Sequence, residues 1–284
     1  MGYKHIAQKY QDILNMAEPF LLTYPGNLSR FDLEPFGLKI YPSNIYSCID
    51  AKKAGFFDAL QMLDKYSFGP MGMPMDKWVF FDCSEMPGGV FGLGLRASTM
   101  PQDILKNIYG VDKNCDFLIP ISQYIAIPMA CGDMWFGHNL ASANTYMGDK
   151  MPLSGLALLT KAFGVKCLNF KKSMGATQCE SGSLNIHLQL ADMEVHSAYT
   201  PAHSFNKTMT YCSNYPDEAL LQALSGKERV ALQCDEWVDV TKDMVDEKYF
   251  IGLQKKIEQG AMFKLVGRPL LKDGKTYLPM NYHW

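Results

Sequence analysis

The sequence predicts an α+β fold: a mostly antiparallel sheet, curled or closed into a β-barrel, with short helices packed outside and a helical segment at the N-terminus. Three observations lead there. Apolar residues recur every three to four positions up to the break at Gly69-Pro-Met-Gly-Met-Pro74, and mostly every second position after it. The whole chain reads as about eight to ten strands against four or five short helices, without the regular alternation that a doubly wound parallel sheet requires. A sheet of that many strands has edges to hide, and curling or closure hides them. The expected division is therefore a helical segment over residues 1–70 and a barrel domain over 71–284.

Composition sets the outer bounds. The 284 residues are 48% hydrophobic and 20% charged with a net charge of −2, enough for a large core in one big domain or two ordinary ones. A pI near 6.3 and the lack of a basic run speak against nucleic acid as a partner. No stretch offers 18 uninterrupted apolar residues, so no membrane span is expected. The N-terminal Met1-Gly-Tyr-Lys-His-Ile6 is polar, has no apolar signal core, and carries Ile6 where a myristoylation signal wants Ser or Thr, so the expected address is cytoplasmic. Eight cysteines form no CxxC pair, and neither a zinc knuckle nor a redox dithiol is written here. Eighteen Met with 15 Tyr and 16 Phe suit a core with irregular gaps and an apolar cavity.

Taken in order, residues 3–17 space Ile6, Tyr10, Ile13, Leu14 and Ala17 as a helix that Pro19 and Pro25 end. A short strand is expected over Gly37–Tyr41. Asp50 is placed to cap a helix over Ala51–Tyr66, striped by Phe56, Phe57, Leu60 and Leu63. Beyond the break, Lys77–Cys83 and Val90–Ala97 read as strands, and Pro101–Tyr109 as a brief helix with Gly110 after its end. Phe117–Pro128 is an extended apolar run, Met134–Leu140 an aromatic segment, Pro152–Gly164 a helix and Val165–Phe170 a strand. Gly175–Gly182 reads as a polar turn region. Leu184–Thr200 alternates as a long strand whose phase slips near Asp192, as a bulge would make it do. Strands follow at Phe205–Tyr211, Arg229–Val240, Ala261–Leu270 and Thr276–Pro279, with helices at Pro216–Leu224 and Tyr249–Gln259.

The chemistry-bearing residue that stands out is Lys161, at the end of an apolar helical turn. In apolar surroundings a lysine loses hydration of its charged form, its pKa falls, and its amine becomes a nucleophile. The competing account is a side chain that snorkels to water from a helix end. GxGxxG, GxxxxGK[ST], GxSxG and HExxH are all absent. The glycines of Gly88-Gly-Val-Phe-Gly-Leu-Gly94 suit close strand packing. His187, Glu194, His196 and His203 invite a metal reading, but the phase slip spoils a shared face and a solvated or pocket-facing polar row explains them better; no metal is expected.

Three further blocks carry a family resemblance: Val90-Phe-Gly-Leu-Gly-Leu-Arg-Ala-Ser98 with the helix after it, Gln123-Tyr-Ile-Ala-Ile-Pro128, and Leu153-Ser-Gly-Leu-Ala-Leu-Leu-Thr-Lys-Ala-Phe-Gly-Val-Lys166. Together they resemble the acetoacetate decarboxylase superfamily, over roughly two-fifths of the chain. The resemblance implies a curled barrel around an apolar pocket and a Schiff-base lysine at Lys161, with Lys166 as second choice. It also implies a lyase of decarboxylase or aldolase–dehydratase type acting on a small oxo acid or related carbonyl compound, without cofactor. The family's second lysine is Thr160 here, and its glutamate falls at Ser122 and Gln123, as in relatives that use glutamine for aldol or dehydration chemistry. Gln123 then stands as a catalytic partner. Tyr124, Arg96, Trp135, Phe136, His138 and Phe163 stand as substrate-binding residues in what is expected to be a homo-oligomer. Period two lets only one of Gln123 and Tyr124 face the pocket. The alternative function is a non-catalytic barrel that binds a hydrophobic small molecule.

Overall fold

A computed structural model describes residues 6–49, 54–85, 88–130, 132–179, 181–200, 207–231, 233–241 and 246–283. The chain divides into two compact units, Met1–Gly132 with Gly137–Phe170, and Asp133–Phe136 with Lys171–Trp284. The expected boundary at Gly69–Pro74 falls inside the first.

The first unit begins with α1 (Gln8–Met16), which buries Tyr10 and Ile13, and β1 (Glu18–Leu22). β1 pairs in parallel with the two-residue β2 (Ile45–Tyr46) and antiparallel with β3 (Gly89–Arg96). β3 in turn pairs antiparallel with β4 (Leu118–Pro128). The register between them slips where Leu93 faces Ser122 and Gly94 faces Pro120, leaving Ile121 as the extra residue of a β-bulge. The helices are α2 (Ala54–Phe68), α3 (Lys77–Glu85), the three-residue α4 (Gln102–Ile104), α5 (Asn144–Met147) and α6 (Leu156–Cys167). β5 (Met134–Ser142) has its first residues in the second unit and the rest in the first.

β4 is buried along nearly its whole length, the signature of a strand covered on both faces. On one face Leu118 and Ile125 join Phe20, Tyr46, Phe56, Phe57 and Leu60 in a core where the Tyr46 and Phe56 rings stack at 3.7 Å. On the other face lies α6, whose Thr160 bonds Ser122 and whose Gly164 leaves room for the Tyr124 ring.

The second unit holds β6 (Lys172–Gln178), α7 (Gly182–Leu190), β7 (Met193–Ser197), β8 (Thr208–Asn214), α8 (Asp217–Leu224), β9 (Glu236–Asp239), α9 (Glu247–Glu258), β10 (Met262–Leu265), β11 (Leu270–Lys272) and β12 (Lys275–His283). β6–β8, β8–β7, β7–β10, β10–β12, β12–β11 and β12–β9 all pair antiparallel. Its core gathers Leu184, Leu188, Met193, Val195, Tyr211, Phe250, Phe263 and Leu278.

The closed barrel is overturned. Among the described residues the strands hydrogen-bond in the order β11-β12-β10-β7-β8-β6-β5-β4-β3-β1-β2, with β9 added on β12, and the path ends without returning to its start: a mixed α/β fold with an open sheet of twelve strands. The expectation rested on edges needing closure. Here the edges are shortened instead, to two residues in β2 and three in β11, which is another way of denying a neighbour a template.

Several element assignments change with it. Lys77–Cys83 is helical because the buried positions are Phe80, Cys83 and Ser84, spaced for a helix, with Trp78 and Phe81 facing out. Leu184–Leu190 is helical too: the Ser181 hydroxyl caps it by accepting from Ser183 N at 3.2 Å, and Leu184, His187 and Leu188 are its buried side. α6 runs through Val165–Cys167 and stops at Asn169, whose φ of 57° is a left-handed turn that asparagine tolerates. The expected turn region after Gly175 is instead largely β6, a strand of small polar residues in which Ser173 and Thr177 are buried. Gly37–Tyr41 forms no strand, and the proposed cap Asp50 lies outside the described residues.

Candidate functional site

The centre of the first unit is the contact of α6 with β4. Gly155 opens α6 at φ 86°, a conformation that suits glycine. Ten of its twelve residues are buried, including Thr160 and Lys161. Such a helix is apolar nearly all round, so a polar side chain on it has no free route to water. Lys161 is 1% exposed, and its Nζ lies 5.8 Å from the centroid of the Tyr124 ring. That is the range in which a cation meets the negative face of an aromatic. Beside it, Thr160 Oγ1 donates to Leu156 O at 2.8 Å and is 2.6 Å from Ser122 Oγ. The snorkelling account of Lys161 fails on its burial; Lys166 fits that account, half-exposed with Nζ 5.9 Å from the Phe36 ring.

Successive residues of a strand point to opposite faces, and this separates the two neighbours on β4. Tyr124 shares the α6 face with Ser122, and Lys161 reaches it there. Gln123 points the other way, toward α2, so the structure does not bring it to Lys161 as a catalytic partner.

What Gln123 joins is a buried polar chain that sequence reasoning missed. Its Nε2 donates to Asn139 Oδ1 at 3.3 Å, and Asn139 Nδ2 donates to Asp64 Oδ1 at 3.0 Å. Asp64 Oδ2 accepts from Met75 N at 2.6 Å. Asp64 and Gln123 are both fully buried, and Gln123 Oε1 has no hydrogen-bond partner among the described residues. Burial pushes the Asp64 carboxyl up to about 6, against the pull of the Met75 and Asn139 hydrogen bonds. A carboxyl of that kind changes charge near neutral pH. The signal available in the sequence was a charged residue four positions after Leu60, on the apolar stripe of α2.

The other expected site residues scatter. Arg96 is half-exposed and held by Glu18 through two 2.7 Å bonds, Nε to Oε1 and Nη2 to Oε2. The hydrogen bond from Arg96, helped by one from Asn44, holds the Glu18 carboxyl below its usual value. Trp135, buried, and Phe136, half-buried, belong to the second unit, whereas His138 is exposed on the part of β5 in the first. Phe163 is buried on α6, edge-on to Phe36 at 5.4 Å.

The metal candidates also separate. His187 is on α7 against the Tyr211 ring, Glu194 and His196 pair at 3.1 Å on β7, and His203 lies outside the described residues. Among the described residues no three metal-ligating side chains come together, and no helix is long and apolar enough to cross a membrane. In the second unit an apolar cavity of about 10 Å³, lined by Val195, Met209, Phe250, Phe263 and Leu278 among others, is about the size that admits one water.

No family model matches the chain, and no curated protein does. Among solved structures, a chain from the crystal structure of the NatC complex bound to Gag peptide and CoA is similar at 14% identity and a TM-score of 0.37, over 59% of this chain and 94% of that one.

Proposed function

We propose that the first unit is a Schiff-base-forming lyase of decarboxylase or aldolase–dehydratase type, acting on a small oxo acid or related carbonyl compound through Lys161. One observation carries the reading: a lysine 1% exposed, on a helix packed against the central strand, with its amine at an aromatic face. The Lys161 amine, in its unprotonated form, attacks the carbonyl carbon, water leaves, and a protonated imine remains. That imine accepts the electron pair released when the bond from the next carbon to carboxylate, carbon or hydrogen breaks; protonation of that carbon and hydrolysis return the free amine. Tyr124 supplies the wall over the amine and a phenol able to bond the substrate's oxygen. Gln123 has no part in it, being on the far face of β4.

The second function considered, binding of a hydrophobic small molecule, loses the barrel that was to enclose it.

The test is borohydride reduction in the presence of acetoacetate or pyruvate, read by intact mass and peptide mapping. A reduced adduct on Lys161, absent from Lys161→Met and Lys161→Arg proteins that retain the native circular dichroism, is the expected result. No adduct, or one formed equally in both variants, ends the proposal.

A further inference from the structure

α3 wears its chemistry on the wrong side for a helix that serves only the core. Its buried residues are Phe80, Cys83 and Ser84, which seat it on the first unit. Positions 78, 81, 82 and 85 share the opposite face: 81 and 82 each lie three or four residues from both 78 and 85. Two are aromatic and solvent-exposed: Trp78 at 60% and Phe81 at 39%, the latter only leaning on Phe57 at 5.2 Å. Isolated exposed apolar residues are ordinary, but a tryptophan and a phenylalanine one turn apart on the same exposed helix face form a paired aromatic surface.

The charges beside that patch point to what covers it. Asp82 and Glu85 are exposed in the last turn of α3, which has no basic residue. Carboxylates there face the negative end of the helix dipole, the placement helix stability disfavours. The basic residue at the other end, Lys77, is taken by an ion pair with Asp58. A local preference broken on an exposed face, with no partner for the charge among the described residues, is the pattern of a surface shaped for something else.

We infer that the exposed face of α3 is a docking surface for a basic amphipathic helix of a protein partner. Apolar side chains of that helix pack against Trp78 and Phe81, and its Lys or Arg residues meet Asp82 and Glu85. Aromatic anchors supply most of the binding, and the carboxylates set the sign of the partner and its rate of encounter.

The experiment uses the full chain and fluorescently labelled helical peptides of about four turns, one built from Leu and Lys, the other from Leu and Glu in the same pattern. Fluorescence anisotropy reads binding at low and physiological salt. The Leu/Lys peptide binds the wild-type protein. Trp78→Ser with Phe81→Ser weakens it by about tenfold or more. Asp82→Lys with Glu85→Lys reverses the preference toward the Leu/Glu peptide. Should the aromatic double variant fail to fold, the charge-reversed variant decides by itself. Equal affinity for both peptides, or no reversal on charge exchange, overturns the inference. So does retention on phosphatidylserine vesicles without binding of either peptide, which makes the face a membrane contact instead.

Discussion

Asp64 offers the sharpest test of the first unit's interior. Its side chain is fully buried, and burial raises its carboxyl from an ordinary 3.8 to about 6 although Met75 N and Asn139 Nδ2 both donate to it. A shift of that size corresponds to about 3 kcal/mol between the two protonation states. Because the folded value is the higher one, the group favours the native state in acid. That contribution is complete below about pH 4 and is lost as pH rises through about 6. Asparagine is the shape of the protonated acid and cannot ionise. Its NH2 cannot accept the hydrogen bond of one of the two donors, a loss that does not depend on pH, so Asp64→Asn should start below the wild type at about pH 4 and gain about 3 kcal/mol on it by about pH 7.5. Urea unfolding followed by circular dichroism at intervals across that range, with the m-value held constant, measures the difference. A pH-independent difference, or a wild type that gains on the variant as pH rises, would show that the two hydrogen bonds outweigh burial and refute the reasoning.

Two further outcomes follow from the strand contacts. A methyl group at Gly92 would lie 2.2 Å from Phe20 Cζ and 2.3 Å from Ser122 O; the latter is backbone of the paired strand and cannot swing away. Gly92→Ala should cost about 3 kcal/mol, seen as a fall in unfolding temperature, and a variant as stable as wild type would mean that β3 and β4 do not approach as described. Arg96 and Glu18 are 46% and 34% exposed, so Arg96→Ala should cost about 1 kcal/mol or less and leave borohydride trapping unchanged. Loss of trapping in that variant would return Arg96 to the substrate site.

Legibility differed by kind of segment. The apolar run at Leu118–Pro128 and the amphipathic α9 (Glu247–Glu258) were plain in the sequence, because a buried strand and a half-exposed helix each write a period that few other structures share. Lys77–Glu85 and Gly182–Leu190 were not. Each is a short stretch of alternating or contiguous apolar residues that satisfies both periods, and only the surface it packs against chooses between them. β6 was missed for the opposite reason: a strand made of Ser, Gly, Ala and Thr carries little apolar signal until β8 pairs with it residue by residue.

The site divides in the same way. Lys161 was visible because a charge among Leu, Ala and Phe contradicts its surroundings in sequence as it does in space. That Gln123 and Tyr124 cannot both serve it was also contained in the sequence, since a strand alternates. Which of the two turns toward α6 was decided only by packing: the bulge at Ile121 fixes the phase of β4, and the Ser122–Thr160 contact locks that phase against the helix. The union of Asp64, Asn139 and Gln123 was likewise beyond sequence, because residues 64, 123 and 139 meet only when α2, β4 and β5 are assembled. Local patterns thus determined which segments are buried and which residues sit uneasily in them. The pairing of faces, which rests on contacts between residues far apart in the chain, belonged to the tertiary structure alone.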